Sequence, residues 1–154
     1  QGLRLLKAIG IAADAKAMNS YLGWEQEFFV VPAELYKQRP DLVNCGRTLV
    51  GRLPPRHQQA ELNYFAPVPL RVKQLLDRLQ AEMLRVGSPM AVKHNEVAPG
   101  QHEMSPIFCQ ANVSSDTNVL FMELCNTEAA KLGLQVLLHE KPFAGINGNG
   151  KHAN

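Results

Sequence analysis

Leu3, Leu6 and Ile9 recur at helical spacing, which predicts an opening helix that stops near Gly10 or drifts on through the alanines and needs a partner to pack on. The period then changes to two. Over residues 23–31, Trp24, Phe28 and Val30 fall on one face of a strand and Glu25, Glu27 and Phe29 on the other, so two acids share a face. Residues 32–69 are rich in Pro, Gly and polar side chains without a sustained period, and predict a long irregular excursion with room for one helical turn. Val72, Leu75, Leu76, Leu79, Met83 and Val86 restore the helical pattern, with Gly87 where a helix C-terminus favours it. Residues 90–97 and 101–108 read as two strands joined by a turn at Pro99 and Gly100. Asp116 is a suitable cap for a second helix running to Lys131, with Gly133 beyond it, and residues 134–139 read as a buried strand. Helices and a hairpin alternate, so the fold class is α+β.

Composition narrows the picture. The chain has 154 residues, 45% apolar and 19% charged, enough for one domain with a core and unlike a disordered or fibrous chain. Sixteen basic and 14 acidic residues are scattered, giving +2, so neither a nucleic-acid patch nor a membrane stripe stands out. Cys45, Cys109 and Cys125 are odd in number and widely spaced, which suits reduced thiols in a cytoplasmic protein. No apolar run approaches the roughly 20 residues of a membrane helix. The chain opens on Gln1 and stops just after a glycine-rich stretch, and both ends are expected to be cut.

The acids carry the candidate chemistry. Glu25 and Glu27, two apart in a strand, project to one side about 6 to 7 Å apart. A turn centred on Pro99 and Gly100 would place Glu96 directly opposite Glu103, with Cβ atoms about 4.5 to 5.5 Å apart. Like charges placed so are unfavourable unless a cation relieves them, and carboxylate oxygens suit magnesium or manganese. A solvated strand face is the plainer explanation of either pair alone. Pro-Gly also favours a type II turn over the primed turns of tight hairpins, so a longer or bulged loop is compatible with the sequence.

Residues 141–154, KPFAGINGNGKHAN, nearly spell a phosphate-binding P-loop from Gly145 to Lys151, but His152 replaces the required Ser or Thr. Two Asn-Gly turns would explain the glycines, and a metal-ligating imidazole would explain the histidine.

Taken together, GWEQEFF (residues 23–29), HNEVAPGQHE (94–103) and KPFAGINGNGKH (141–152) resemble glutamine synthetase. NEVAPGQHE, LLHEKPFAG (137–145) and GRTLVGRLPP (46–55) with the later NYF (63–65) are most similar to its type III branch. The resemblance spans essentially the whole chain and implies the first half of a catalytic domain, a curved antiparallel sheet with flanking helices. It implies that the family's N-terminal β-grasp domain and the C-terminal part of the catalytic domain lie outside residues 1–154.

The implied reaction is a ligation. ATP phosphorylates the γ-carboxylate of glutamate, and ammonia displaces phosphate to give glutamine. Two or more magnesium or manganese ions serve it. By resemblance, Glu27, Glu96 and Glu103 hold the ion nearer the glutamate, Glu25 and His152 ligate a second ion, and Asn147 and Gly148 contact the glutamate. A further metal glutamate and the arginines that bind phosphate and substrate lie beyond Asn154 in the family pattern, so the chain alone is expected to be inactive. The implied protein is a cytoplasmic homo-oligomer with no nucleic-acid or membrane partner. Asn149 stands where the family usually has Ser, and Ala153 where type III proteins usually have Asn. A related ligase acting on another amine is the alternative, and a non-catalytic relative is a third reading. Retention of all five metal-ligand positions argues against that third reading.

Overall fold

A computed structural model of the chain describes residues 1–148 and 150–154; Asn149, singled out above, lies outside them. The central strand is β2 (Trp24–Pro32), preceded by the opening helix α1 (Gly2–Ala8) and the short strand β1 (Tyr21–Leu22). None of α1's residues is fully buried, and Leu3 and Leu6 of its apolar stripe are half-buried.

The excursion after β2 holds more helix than its composition suggested. It contains α2 (Ala33–Lys37), α3 (Pro40–Cys45) and a 3-10 turn at Gln59–Glu61. Helix α3 starts on Pro40, whose fixed φ suits a first helical turn, and ends at Gly46 with φ 69°. Asp41 anchors this region by accepting from Arg39 Nη2 at 2.6 Å and from the Leu42 and Leu49 amides at 3.0 Å. These are local bonds made by one side chain, two of them to backbone amides, which hydrophobic periodicity does not register.

Helix α4 (Leu70–Arg85) forms as its period predicts and buries Val72, Leu75, Leu76, Leu79 and Met83. Helix α5 (Ala111–Lys131) ends where expected but starts ahead of Asp116, straight from the short strand β5 (Cys109–Gln110). Its opening turns bury the polar Ser114 and Asn118, so an apolar pattern under-reads them.

Strands β3 (Met90–Asn95), β4 (Gln101–Pro106), β6 (Leu134–Leu137) and β7 (Lys151–Ala153) complete an antiparallel sheet in the order β3-β4-β2-β6. Strand β7, unforeseen in the sequence, pairs with the first half of β2, while β6 pairs with the second half. Strands β1 and β5 make a separate two-stranded ladder.

Helices α4 and α5 cover one face of the sheet. Trp24, Phe28, Met104 and Val136 from the strands pack there with Leu75, Leu79, Met83, Phe121 and Cys125 from the helices. Each fully buried side chain of this size contributes about 1.5 to 3 kcal/mol. The other face carries Glu25 and Glu27. It is apolar only at its far end, where Phe29, Leu42, Leu137 and Ile146 cluster. The sheet is thus a plate with a dry side and an acidic side.

Candidate metal centre

The hairpin register departs from the expected one. Its strands pair His94 with Glu103 and Asn95 with His102, so Glu96 lies past the end of β3 and does not face Glu103. The cause is the turn. Gln101 N–H donates to Ala98 O at 3.1 Å, with Pro99 and Gly100 between them and Gly100 at φ 73°, which is the type II geometry of Pro-Gly. This turn needs a longer loop, closed where Glu96 N–H donates to Gln101 O at 3.0 Å. The slip is two residues, and an even slip keeps every side chain on its face. Glu96 and Glu103 therefore stay on the same side, with His94 between them.

Cross-strand pairing brings the other residues to that side. Glu27 is the direct partner of Glu103, and Glu25 is the direct partner of His152. Ligand atoms of His94, Glu96 and Glu103 all lie within 4.8 Å of one another. His94 Nε2 is 3.3 Å from Glu103 Oε1, and its Nδ1 is 3.6 Å from Glu96 Oε1. His152 Nδ1 is 2.8 Å from Glu25 Oε2. Gln101 Nε2 donates to Glu27 Oε2 at 2.5 Å.

The dry face of the sheet fixes β7, and with it His152. Gln26, buried between the two acids in sequence, points away from them and donates to Gly150 O. Its own Oε1 accepts from Asn118 Nδ2 at 3.1 Å. Asn118 thus explains one of the polar residues that α5 buries.

Asn147 and Gly148 sit in the loop that leads to β7. Asn147 is exposed, with its amide held by Gln58 Oε1 at 2.7 Å. Gly148 O accepts from Lys141 Nζ at 2.7 Å. A Cβ on Gly148 would lie 2.4 Å from Glu140 O and 3.5 Å from the Phe29 ring, so only glycine fits this approach. Phe29 is the next residue after Glu27 on the acidic face of β2.

Two residues of this cluster had no role assigned from the sequence. His94 stands in the quoted HNEVAPGQHE stretch, and the type II preference of Pro-Gly was the signal that could have put it opposite Glu103. Tyr64, in the irregular excursion, stacks on His94 at a ring separation of 5.2 Å. Its hydroxyl is held above its ordinary value by burial and by the nearby Glu96 and Glu103. No periodicity could have located it.

The electrostatics fit a cation. Glu103 is pushed up to about 7, first by burial and then by the charge of Glu96, with smaller contributions from Glu25 and Glu27 against the opposing His94. Carboxylates crowded on one face, with oxygen the dominant donor, make a set that suits magnesium or manganese. No helix among the described residues is long and apolar enough to cross a membrane.

Residues 4–154 match the model of the glutamine synthetase catalytic domain. The chain is 48% identical over 139 residues to the type-3 glutamine synthetase of Dictyostelium discoideum, covering 90% of this chain and 19% of that protein. It is 47% identical to a glutamine synthetase of Bacteroides fragilis, covering 86% of this chain and 18% of that protein. The chain therefore spans about a fifth of the length of these relatives. Among solved structures, GmaS without ligand matches with a TM-score of 0.67 at 28% identity, over 98% of this chain and 32% of that one. The Plasmodium falciparum glutamine synthetase shares the fold, with a TM-score of 0.65 at 20% identity over 99% of this chain and 32% of that one. An acidic sheet face with paired glutamates, an α+β fold and a match from residue 4 to residue 154 lead to one conclusion: the chain belongs to the glutamine synthetase family.

Proposed function

We propose that this chain is the metal-binding part of a glutamate–ammonia ligase and forms the N-terminal portion of its catalytic domain. The observation that carries this reading is the convergence of Glu27, Glu103, His94 and Glu96, with Glu25 and His152 beside them, on one sheet face. Glu27, Glu96 and Glu103 hold one ion and Glu25 and His152 a second. When bound, such ions offset the charge of the transferring phosphoryl group. The chain's own residues fix where that charge is offset. Gln101 orients Glu27 through its amide, and Gln26 anchors the backbone that carries His152. Asn147 and Gly148 contact the glutamate whose γ-carboxylate accepts the phosphoryl group of ATP, and ammonia then displaces phosphate.

A cleft of about 550 Å³ beside Glu25, lined by Tyr21, Gly23, Trp24, Ala91 and Phe108, is largely apolar and suits the base of the nucleotide. Support for a nucleotide comes from GmaS, solved as an ADP complex, which matches this chain with a TM-score of 0.68 at 27% identity. In a protein of the relatives' length, the remaining metal ligand, the arginines and the subunit contacts of a cytoplasmic homo-oligomer come from other residues. Phosphoryl transfer depends on all of these for positioning and charge stabilisation.

Titration of the chain with manganese, followed by the paramagnetic resonance of the free ion, tests the site. Saturable binding is expected, and the double change Glu96→Gln and Glu103→Gln should abolish it. Undiminished binding by that variant would overturn the assignment.

A further inference from the structure

Beneath the acidic cluster, on the opposite face of the hairpin, lies a small cavity of about 60 Å³ lined by Asn63, Asn95 and His102, with Arg56 among its walls. All three are buried, at 4%, 7% and 3% exposure, so solvent outside the cavity cannot satisfy them. Asn63 Oδ1, Asn95 Oδ1 and His102 Nδ1 have no hydrogen-bond partner among the described residues. Amide orientation is settled by the opposite ends of the side chains. Asn63 Nδ2 donates to His57 O at 2.8 Å and to Val97 O at 3.1 Å, and Asn95 Nδ2 donates to Ala66 O at 2.7 Å. Both Oδ1 atoms are therefore acceptors that call for a donor.

The chemistry of the walls selects that donor. Two carbonyl-type oxygens reject an anion, and no carboxylate among the described residues lines the cavity to balance a cation. A neutral molecule with two protons to give remains, and the His102 ring nitrogen can give or accept according to its tautomer. Water needs about 10 to 15 Å³ of such space and two to four polar partners, and both are present.

The placement has a consequence for the cluster above. Asn63 precedes Tyr64, Asn95 separates His94 from Glu96, and His102 precedes Glu103. Asn95 and His102 are direct partners across the hairpin, and successive strand residues point to opposite faces. We propose that water held in this cavity ties Asn63, Asn95 and His102 together and so positions Tyr64, His94, Glu96 and Glu103 for metal binding on the other side. The positioning half rests on the metal reading above; the hydration half does not.

Two measurements on the chain test it. A high-resolution crystal structure of the unmodified chain should show ordered solvent density between the three side chains, and a dry cavity overturns the proposal. Manganese titration should then show about tenfold or greater loss of affinity for Asn95→Leu, which fills the cavity with apolar atoms, as for other outer-shell changes. Asn95→Ser, which leaves a hydroxyl and room for another water, should stay within about threefold of the unmodified chain. A folded leucine variant with unchanged affinity, or a serine variant as weak as the leucine one, overturns the positioning role. If Asn95→Leu does not fold, Asn95→Ala takes its place under the same thresholds. Absence of manganese binding by the unmodified chain refutes the metal reading and the positioning role with it, and the density alone then decides the hydration.

Discussion

His94 Nε2 lies 3.3 Å from Glu103 Oε1 across the hairpin, in the place where tight-turn pairing would have put Glu96. His94 is thus the group interposed between the two carboxylates. Replacing it with alanine leaves Glu96 and Glu103 to repel each other directly and removes an imidazole from the cluster. His94→Ala should weaken manganese binding about tenfold, the lower end of what a supporting residue of a metal site contributes. Calorimetric titration checks this, and an unchanged affinity would mean that His94 only fills space.

The pH dependence follows from Glu103, whose carboxyl is pushed up to about 7 from an ordinary 4.5 by burial and by Glu96. Between these values the folded state holds more protons than the unfolded chain. The metal-free protein therefore has this contribution in full below about 4.5 and loses it as pH rises through about 7. A metal ion competes with that proton, so affinity should rise from pH 6 to pH 8. Thermal melts at both pH values, with and without manganese, should show the metal-free difference shrink in Glu103→Gln. Equal pH dependence in that variant would show that another group dominates.

Two glycines of the loop before β7 should respond unequally to alanine. A Cβ on Gly148 meets the backbone oxygen of Glu140 at 2.4 Å, whereas one on Gly150 meets Glu140 Cγ at 2.9 Å. The Glu140 side chain is 71% exposed and can swing away, but its backbone cannot. Gly148→Ala should cost about 1 to 3 kcal/mol, as forced overpacking does, and Gly150→Ala distinctly less. Denaturant unfolding of the two variants checks the ranking, and equal losses would contradict it.

These 154 residues by themselves should form no glutamine from glutamate, ammonia, ATP and manganese, since they span about a fifth of the length of the relatives they match. A single arginine that stabilises a transferring phosphoryl group is worth about 10³ to 10⁵ in rate. A coupled assay for phosphate release checks this. Turnover that disappears in Glu27→Ala would show the site to be complete.

Periodicity alone located α4, whose buried residues Val72 to Met83 follow the helical repeat, and the strand on which Glu25 and Glu27 share a face. It also kept Glu96 and Glu103 on one side of the sheet, because the actual register differs from the expected one by an even number of residues. The motifs carried the family. What the chain pattern could not decide is which atoms meet. The pairing of His94 with Glu103 depends on a type II turn at Pro99 and Gly100, and the pairing of Glu25 with His152 joins residues far apart in the chain. Tyr64 reaches His94 from an irregular segment, and the buried Asn118 of α5 donates to Gln26 of the sheet. The division has a physical cause. Which face a side chain occupies is set by local backbone repeat and hydrophobicity, and these are written into neighbouring residues. Which partner it meets is set by strand register, turn geometry and the close approach of distant backbone, and these exist only once the chain has folded.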